Sequence, residues 1–443
     1  MARLLARLRS PRKLTPLQAR RACPQLAQLS ARLRAADDGL RLHALQQLYA
    51  NEPHAVLLID EIIRALQDEN PAVREEAARV LGRSCCGAPE AILALIHALG
   101  DEDREVRIAA SRALGCYGQA AGHAVPSLED GLVDDDWRAR LATVDALRRI
   151  GGDAMLALTV ALFDPYYEVR ERAAFGLGQI GTEALHAVPV LVVALRDSDT
   201  KVRFWATYAL SRMGEEAMQE LARALRHQHP AVRQHAAEAL AAIGPAAVCA
   251  LPLLREQLSE REPLIRLAAA QALGAIGPTA APALAELERA LADEQPLVAK
   301  AAATAIGALG PAAAAALPAL VERLATRRWS VRQAITRSLG RIGPQAIEPL
   351  TKLLDDRNVM VRAEAAHSLG CYRAQAADVV PALILTLRDY DAHVRTAAAT
   401  ALGCIGAAAH SALPALREAQ HEACDQLAAA ARWAIVRISG EEQ

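Results

Sequence analysis

VRFWATYALSRMG, residues 202–214, shares its frame with VRIAASRALGCYG at 106–118 and VRERAAFGLGQIG at 169–181. The Arg of the VR pair serves as a ruler. It stands at Arg41, Arg74, Arg107, Arg140, Arg170, Arg203, Arg233, Arg266, Arg332, Arg362 and Arg395, and Ala299 and Ala428 keep the register. The steps are 33 residues, apart from three of 30 (140 to 170, 203 to 233, 332 to 362). Thirteen copies therefore fill the chain beyond residue 35. A fixed period of this size is the mark of a solenoid, in which no unit buries its apolar face alone and stacking completes the core.

Each copy splits into two helices. Seven residues after the ruler stands an apolar residue (Leu81, Leu114, Leu147, Leu177, Leu210, Leu240, Leu273) on a stripe of Val, Ala and Leu at helical spacing. Glycine then ends the helix at Gly118, Gly151, Gly181, Gly214, Gly244, Gly277, Gly310, Gly343 and Gly406. A second helix follows, as in HAVPVLVVALRD (186–197), with proline near its start. The short copies lose their three residues after the glycine, which predicts a second helix one turn shorter. The architecture expected is all-α, a right-handed α-solenoid of stacked helix pairs. Residues 1–35 form a basic arm and capping helix, 36–440 the repeat array and 441–443 a tail.

Composition agrees. The chain is 53% apolar yet only 3% aromatic, because alanine carries the count. Alanine favours helix and lets helices approach closely. A net charge of −1 gives no field for nucleic acid. Cys23, Cys85, Cys86, Cys116, Cys249, Cys371, Cys404 and Cys424 form no CxxC pair. Cys116, Cys371 and Cys404 share one slot, which predicts small buried thiols in a reducing, cytoplasmic setting rather than a disulfide network. No apolar run reads as a membrane span. Residues 1–34 carry nine cations and no acid. They read as a tail followed by a capping helix opening at Thr15-Pro16, or as an organelle transit peptide, or as an arm contacting a membrane surface or an acidic partner.

The frame VRxxAAxALGxIG, with an acidic turn before the next VR, resembles the short HEAT-like repeat of the phycobilin lyase class over residues 41–438. The resemblance implies an α-solenoid and does not fix one activity. Two enzymatic relatives bear on it. Deoxyhypusine hydroxylase binds a di-iron centre through several His-Glu pairs, and here His421-Glu422 is the one such dipeptide. The bilin lyases, which act on a phycobiliprotein-type acceptor, offer no short catalytic motif to match. DNA glycosylases of a related repeat class need a cationic groove, which the charge balance disfavours.

Other candidate chemistry reads as structural. His227, His229 and His235 lie close in sequence without an accompanying ligand set, so no metal and no cofactor is expected. Cys85-Cys86 are adjacent and read as structural thiols. No P-loop, nucleophile elbow or dinucleotide fingerprint occurs, and no catalytic residue is assigned. The acidic turns DEDREVR, DSDTKVR and DYDAHVR predict caps and partners for the ruler Arg of their own or a neighbouring copy.

The aromatics are the exception to the pattern. Eight of fourteen lie between 137 and 208. Phe175 and Tyr208 occupy a slot that other copies fill with Arg79, Arg112 or Glu238; Phe204 and Trp205 stand where others have Glu75-Glu76. Trp137, Tyr166 and Tyr167 lie in the turns leading to the same helices. On the neighbouring second helices, Leu156, Val160, Val190 and Val193 replace Arg64, Arg223 or Lys352. An exposed apolar surface of this kind marks a binding site. The expected function is a non-catalytic scaffold that grips a protein or peptide through its concave groove, lined by the second helices, and an aromatic patch around residues 137–208. A bilin lyase or chromophore chaperone is the alternative.

Overall fold

The computed structural model describes residues 24–50, 52–84, 88–326, 328–422 and 424–440. The basic stretch before Pro24, Cys85-Cys86 and the 441–443 tail lie outside them. The chain divides into two compact units, Met1–Ala217 and Met218–Gln443. Among the described residues every regular element is helical.

In the first unit, the first helices of successive copies are Asp38–Ala50, Pro71–Ser84, Arg104–Tyr117, Trp137–Ile150, Tyr167–Ile180 and Thr200–Arg212. Each packs on the next, and the second helices form a layer beside them. The helix Pro24–Leu33 precedes the array and buries Leu26, Leu29 and Leu33. Its end is tied down by Glu61, which receives Ser30 at 3.3 Å and Arg34 at 2.9 Å. The second unit repeats the scheme from Pro230–Ile243 to Asp425–Ser439.

Alanine sets the spacing of the first-helix layer, and a second glycine tightens it. Eight residues after the ruler, a Cβ on Gly115 would lie 2.9 Å from the Cα of Ala146, and one on Gly370 2.8 Å from the Cα of Ala401. These glycines are points of close approach between backbones. The helix stops stand where the sequence places them: Gly118, Gly181 and Gly406 take φ of 55°, 70° and 74°.

The ruler Arg works along the turn edge. Arg107 forks onto Asp134 of the next turn at 2.6 and 3.0 Å, while its remaining nitrogen donates to the carbonyls of Asp101 and Glu102 in its own turn. The same arrangement holds for Arg74 with Asp101, Arg170 with Asp197, Arg266 with Asp293 and Arg362 with Asp389. In the short copy Arg140 reaches Asp164. Each Asp also accepts the amide two residues on, as Asp134 does from Asp136 at 2.9 Å. The second acid of the turn then caps the helix: Asp103, Asp136, Asp199 and Asp391 accept from first-turn amides at 2.8 Å. The acidic turns are therefore occupied by caps and arginines. Their carboxylates pair with the preceding copy and their carbonyls with their own.

Three further expectations change. Two of the three short copies keep seven-residue second helices, Met155–Ala161 and Met218–Ala224, like the full-length Val188–Ala194, and the third has Ile347–Lys352 continued by a 3₁₀ turn at Leu353–Asp355. The missing turn comes out of the 3₁₀ connection, three residues at Gly152–Ala154 against seven at Gly181–Ala187. Cys116 and Cys371 are exposed and Cys404 half-buried, not buried as the shared slot suggests. Four helical stretches, among them Tyr167–Ala194 with mean hydropathy 1.4, are long and apolar enough for a membrane span by length and composition. Each contains a positive-φ glycine (Gly181, Gly244, Gly277 or Gly406) that folds it into a pair. Their straight parts run about 14 residues, roughly 21 Å, against the ~30 Å of a hydrocarbon core.

Candidate partner-binding surface

The sequence-selected residues belong to five helices of the first unit: α1 (Trp137–Ile150), α2 (Met155–Ala161), α3 (Tyr167–Ile180), α4 (Val188–Ala194) and α5 (Thr200–Arg212). They do not form one patch. Those on α2 and α4 lie in the second-helix layer, and the aromatics belong to the first helices and their turns.

On α2, Ala157, Leu158 and Ala161 are buried, which turns Leu156 and Val160 outward at 65% and 63% exposure. On α4, Val188, Leu191 and Ala194 are buried, leaving Val193 exposed and Val190 half-buried. Leu156 and Val160 line a cleft of about 680 Å³ together with Leu132, Val133 and Phe163. The charged groups on its wall are Glu129, Asp134, Arg140 and Asp164. Arg140 is already held by Asp164 at 2.6 Å and the carbonyl of Asp134 at 2.7 Å. The cleft therefore offers apolar surface beside a closed ion pair.

Sequence reading missed Leu132, Val133 and Phe163 as members of this cleft. Val133 is 83% and Phe163 66% exposed. Both stand seven residues before a ruler, where other copies carry Gln67, Arg196, Arg226 or Arg388. The register held the signal.

The first-helix aromatics form two groups. Trp137 stacks on Tyr166, centroids 5.6 Å apart and planes within 11°, with the Arg140 guanidinium over Tyr166 at 5.4 Å. Phe175, Phe204, Trp205 and Tyr208 form a second group, in which Trp205 meets Phe175 at 4.4 Å, Phe204 at 5.1 Å and Tyr208 at 5.4 Å. The Trp205 indole donates to Glu171 at 3.3 Å. Arg148 covers the other side of Phe175 and donates to Gln179. Tyr208 lies against Gly178, where a Cβ would meet its ring at 2.8 Å. These contacts half-bury Phe175, Trp205 and Tyr208 between neighbouring first helices. Phe204 stays 60% exposed, Tyr166 46% and Tyr167 38%.

The histidines serve the turn. The His227 ring takes the place of the turn acid and accepts the His229 amide at 3.0 Å, and His235 meets Glu238 at 2.8 Å. Among the described residues no three His, Cys, Asp or Glu side chains are placed to hold a metal ion.

The sequence matches the family of HEAT repeats over residues 26–115, 59–148, 92–164, 155–227, 218–294, 251–340, 284–370 and 347–436. No curated protein matches the chain. Among solved structures, it is similar to the karyopherin Kap121p, with 15% identity and a TM-score of 0.65 over 99% of this chain and 57% of that one. It is likewise similar to Kap121p bound to Nup53p (14%, 0.64, covering 94% and 54%) and to Kap121p bound to Pho4p (14%, 0.65, covering 99% and 57%). The chain thus spans little more than half the length of these neighbours, and the likeness is one of fold: an α-solenoid. With matches from residue 26 to residue 436, the chain belongs to the HEAT-repeat family.

Proposed function

We propose that this chain is a non-catalytic scaffold that holds an apolar segment of a protein or peptide partner. The observation that carries this reading is the cleft on the second-helix layer, where Leu156, Val160 and Phe163 stand about two-thirds exposed beside a saturated ion pair. Apolar side chains in a concave site gain by losing water, and a saturated ion pair adds no competing demand. On this proposal Val190 and Val193 extend the cleft along α4. Tyr166, Tyr167 and Phe204 supply contacts from the first-helix side. Trp137, Phe175, Trp205 and Tyr208 hold those contacts in place. The nine cations of residues 1–34 supply a further contact, to an acidic partner or an anionic membrane surface. Similar karyopherin structures are complexes with protein partners, Nup53p and Pho4p among them, which supports a binding role. The free, exposed thiol of Cys371 supports a cytoplasmic location.

The test compares proteins captured by the immobilised chain with those captured by Leu156→Ser/Val160→Ser. The expected result is a partner recovered by the first and lost by the second. Equal recovery would refute the cleft. The short-repeat signature favours a second reading, the bilin lyase. A covalent coloured adduct on co-expression with a bilin and an acceptor would establish it in place of the scaffold.

A further inference from the structure

One residue in the second unit breaks a rule that every other described copy with a positive-φ stop obeys. Eleven residues after the ruler the backbone takes positive φ, and the residue there is glycine nine times; at Arg373 it is arginine, with φ 53°. The copy starting at Arg107 is an internal control. Cys116-Tyr117-Gly118 and Cys371-Tyr372-Arg373 have the same order, and in both the buried tyrosine donates to a leucine carbonyl of the preceding copy, Leu81 or Leu339. Gly118 has φ 55°, so the arginine leaves the turn unchanged. The local fold has no use for a side chain at this point.

The Arg373 side chain lines a cleft of about 400 Å³ on the first-helix face of α6 (Val359–Cys371), α7 (Ala392–Ile405) and α8 (Asp425–Ser439). Its walls also carry His367, Thr400, Trp433 and Arg437, and no carboxylate. Among the described residues neither Arg373 nor Arg437 is paired with an acid, although most ruler arginines are. The Arg437 guanidinium lies 6.0 Å from the Trp433 ring, and that ring rests on Gly403. Two guanidiniums without an acid partner, a histidine and an indole line one cleft.

We infer that this cleft binds the phosphate-bearing side chain of a peptide partner, the phosphate between Arg373 and Arg437 and the neighbouring apolar residue on Trp433. A dianion matches two guanidiniums in charge and in hydrogen-bonding fork, where a single carboxylate would satisfy one. The site lies in the second unit and is independent of the apolar cleft in the first.

Labelled peptides identical but for a central phosphoserine, serine or glutamate, each beside leucine, test it by fluorescence anisotropy. Phosphoserine should bind at least about tenfold more tightly than the other two, since charge-assisted hydrogen bonds are at stake. Arg373→Gly restores the residue of the other copies and should keep the melting temperature while losing about tenfold in affinity; Arg437→Gln should lose a similar amount. Equal binding by Arg373→Gly and the wild type, or by serine and phosphoserine, overturns the proposal. So does tighter binding of an oligonucleotide than of the phosphopeptide. A chain ending at Gly440 should bind as the full chain does. A tenfold gain on that truncation would make the chain's own acidic end the occupant and remove the external peptide.

Discussion

The turn edge and the helix faces of this solenoid follow opposite rules. Along the edge, the Arg107–Asp134 fork recurs as Arg170–Asp197, Arg266–Asp293 and Arg362–Asp389 with distances between 2.6 and 3.0 Å. On the faces, one register position is Arg in one copy, Asp in the next, Phe in the one after and Trp in the last, as Arg112, Asp145, Phe175 and Trp433 show. A contact that joins copy to copy must be repeated if the stack is to continue. A residue that faces away from the stack is released from that demand. Uniformity therefore marks architecture here, and departure marks surface available for binding.

Breaking the edge should have the largest effect. Asp389→Ala leaves Arg362, whose side chain is 6% exposed, with a buried charge that has lost its carboxylate. A loss of about 3–5 kcal/mol is expected in denaturant unfolding. Acid should reproduce it. Burial pushes the Asp389 carboxyl up, but the Arg362 hydrogen bonds, the Asp391 amide and the arginine charges outweigh it and hold the carboxyl below its ordinary 3.8. A lowered carboxylate contributes stability above its unfolded value and loses it as pH falls through the folded one. The gap between wild type and Asp389→Ala should therefore close below about pH 4. A gap constant down to pH 2 would mean that the fork contributes packing rather than charge.

Trp205 sharpens the comparison, because it sits on a face yet joins two copies. Its ring touches Phe175 of the preceding copy and its indole reaches Glu171. Trp205→Ala should cost about 2 kcal/mol, less than a fully buried indole, through lost ring contacts. A loss under about 0.5 kcal/mol would move Trp205 from the stack to the binding surface.

What the sequence made legible follows the same division. The ruler, the 33- and 30-residue steps, the glycine stops and the caps are edge features repeated often enough to be read by alignment of the chain with itself. The direction of each fork was not legible, since in a full-length copy the Asp six residues before one Arg stands 27 after the preceding Arg, and spacing along the chain does not show which of the two it faces. The 3₁₀ connections were missed because deleting three residues looks the same in either segment. The exposure of Cys116 and Cys371 was missed because a small residue in a repeated slot fits a core as well as an outer face. On the faces, Leu156 and Val160 stood out by replacing charges, whereas Val133 and Phe163 needed a register position that had not been compared across copies. Between Gly118 and Gly406, Arg373 was readable as the one break in a column of glycines, but its meaning required φ.

The smallest effect on stability should come from the cleft, and this makes it the strictest test of the comparison. Leu156 and Val160 stand on a helix whose buried side is Ala157, Leu158 and Ala161, so little of their surface leaves water on folding. Leu156→Ser/Val160→Ser should therefore change unfolding free energy by no more than about 0.5 kcal/mol while abolishing partner capture. Serine lowers helix propensity slightly at 156 and leaves it about level at 160, which sets the expected sign as a small loss. A loss of several kcal/mol would show these side chains packed by the chain itself and would move α2 from the binding face into the stack. Unchanged stability with unchanged capture would leave the cleft apolar without a partner. The distinction between edge and face then requires both measurements on the same variant, since neither alone separates a surface kept dry by the chain from one kept free for another molecule.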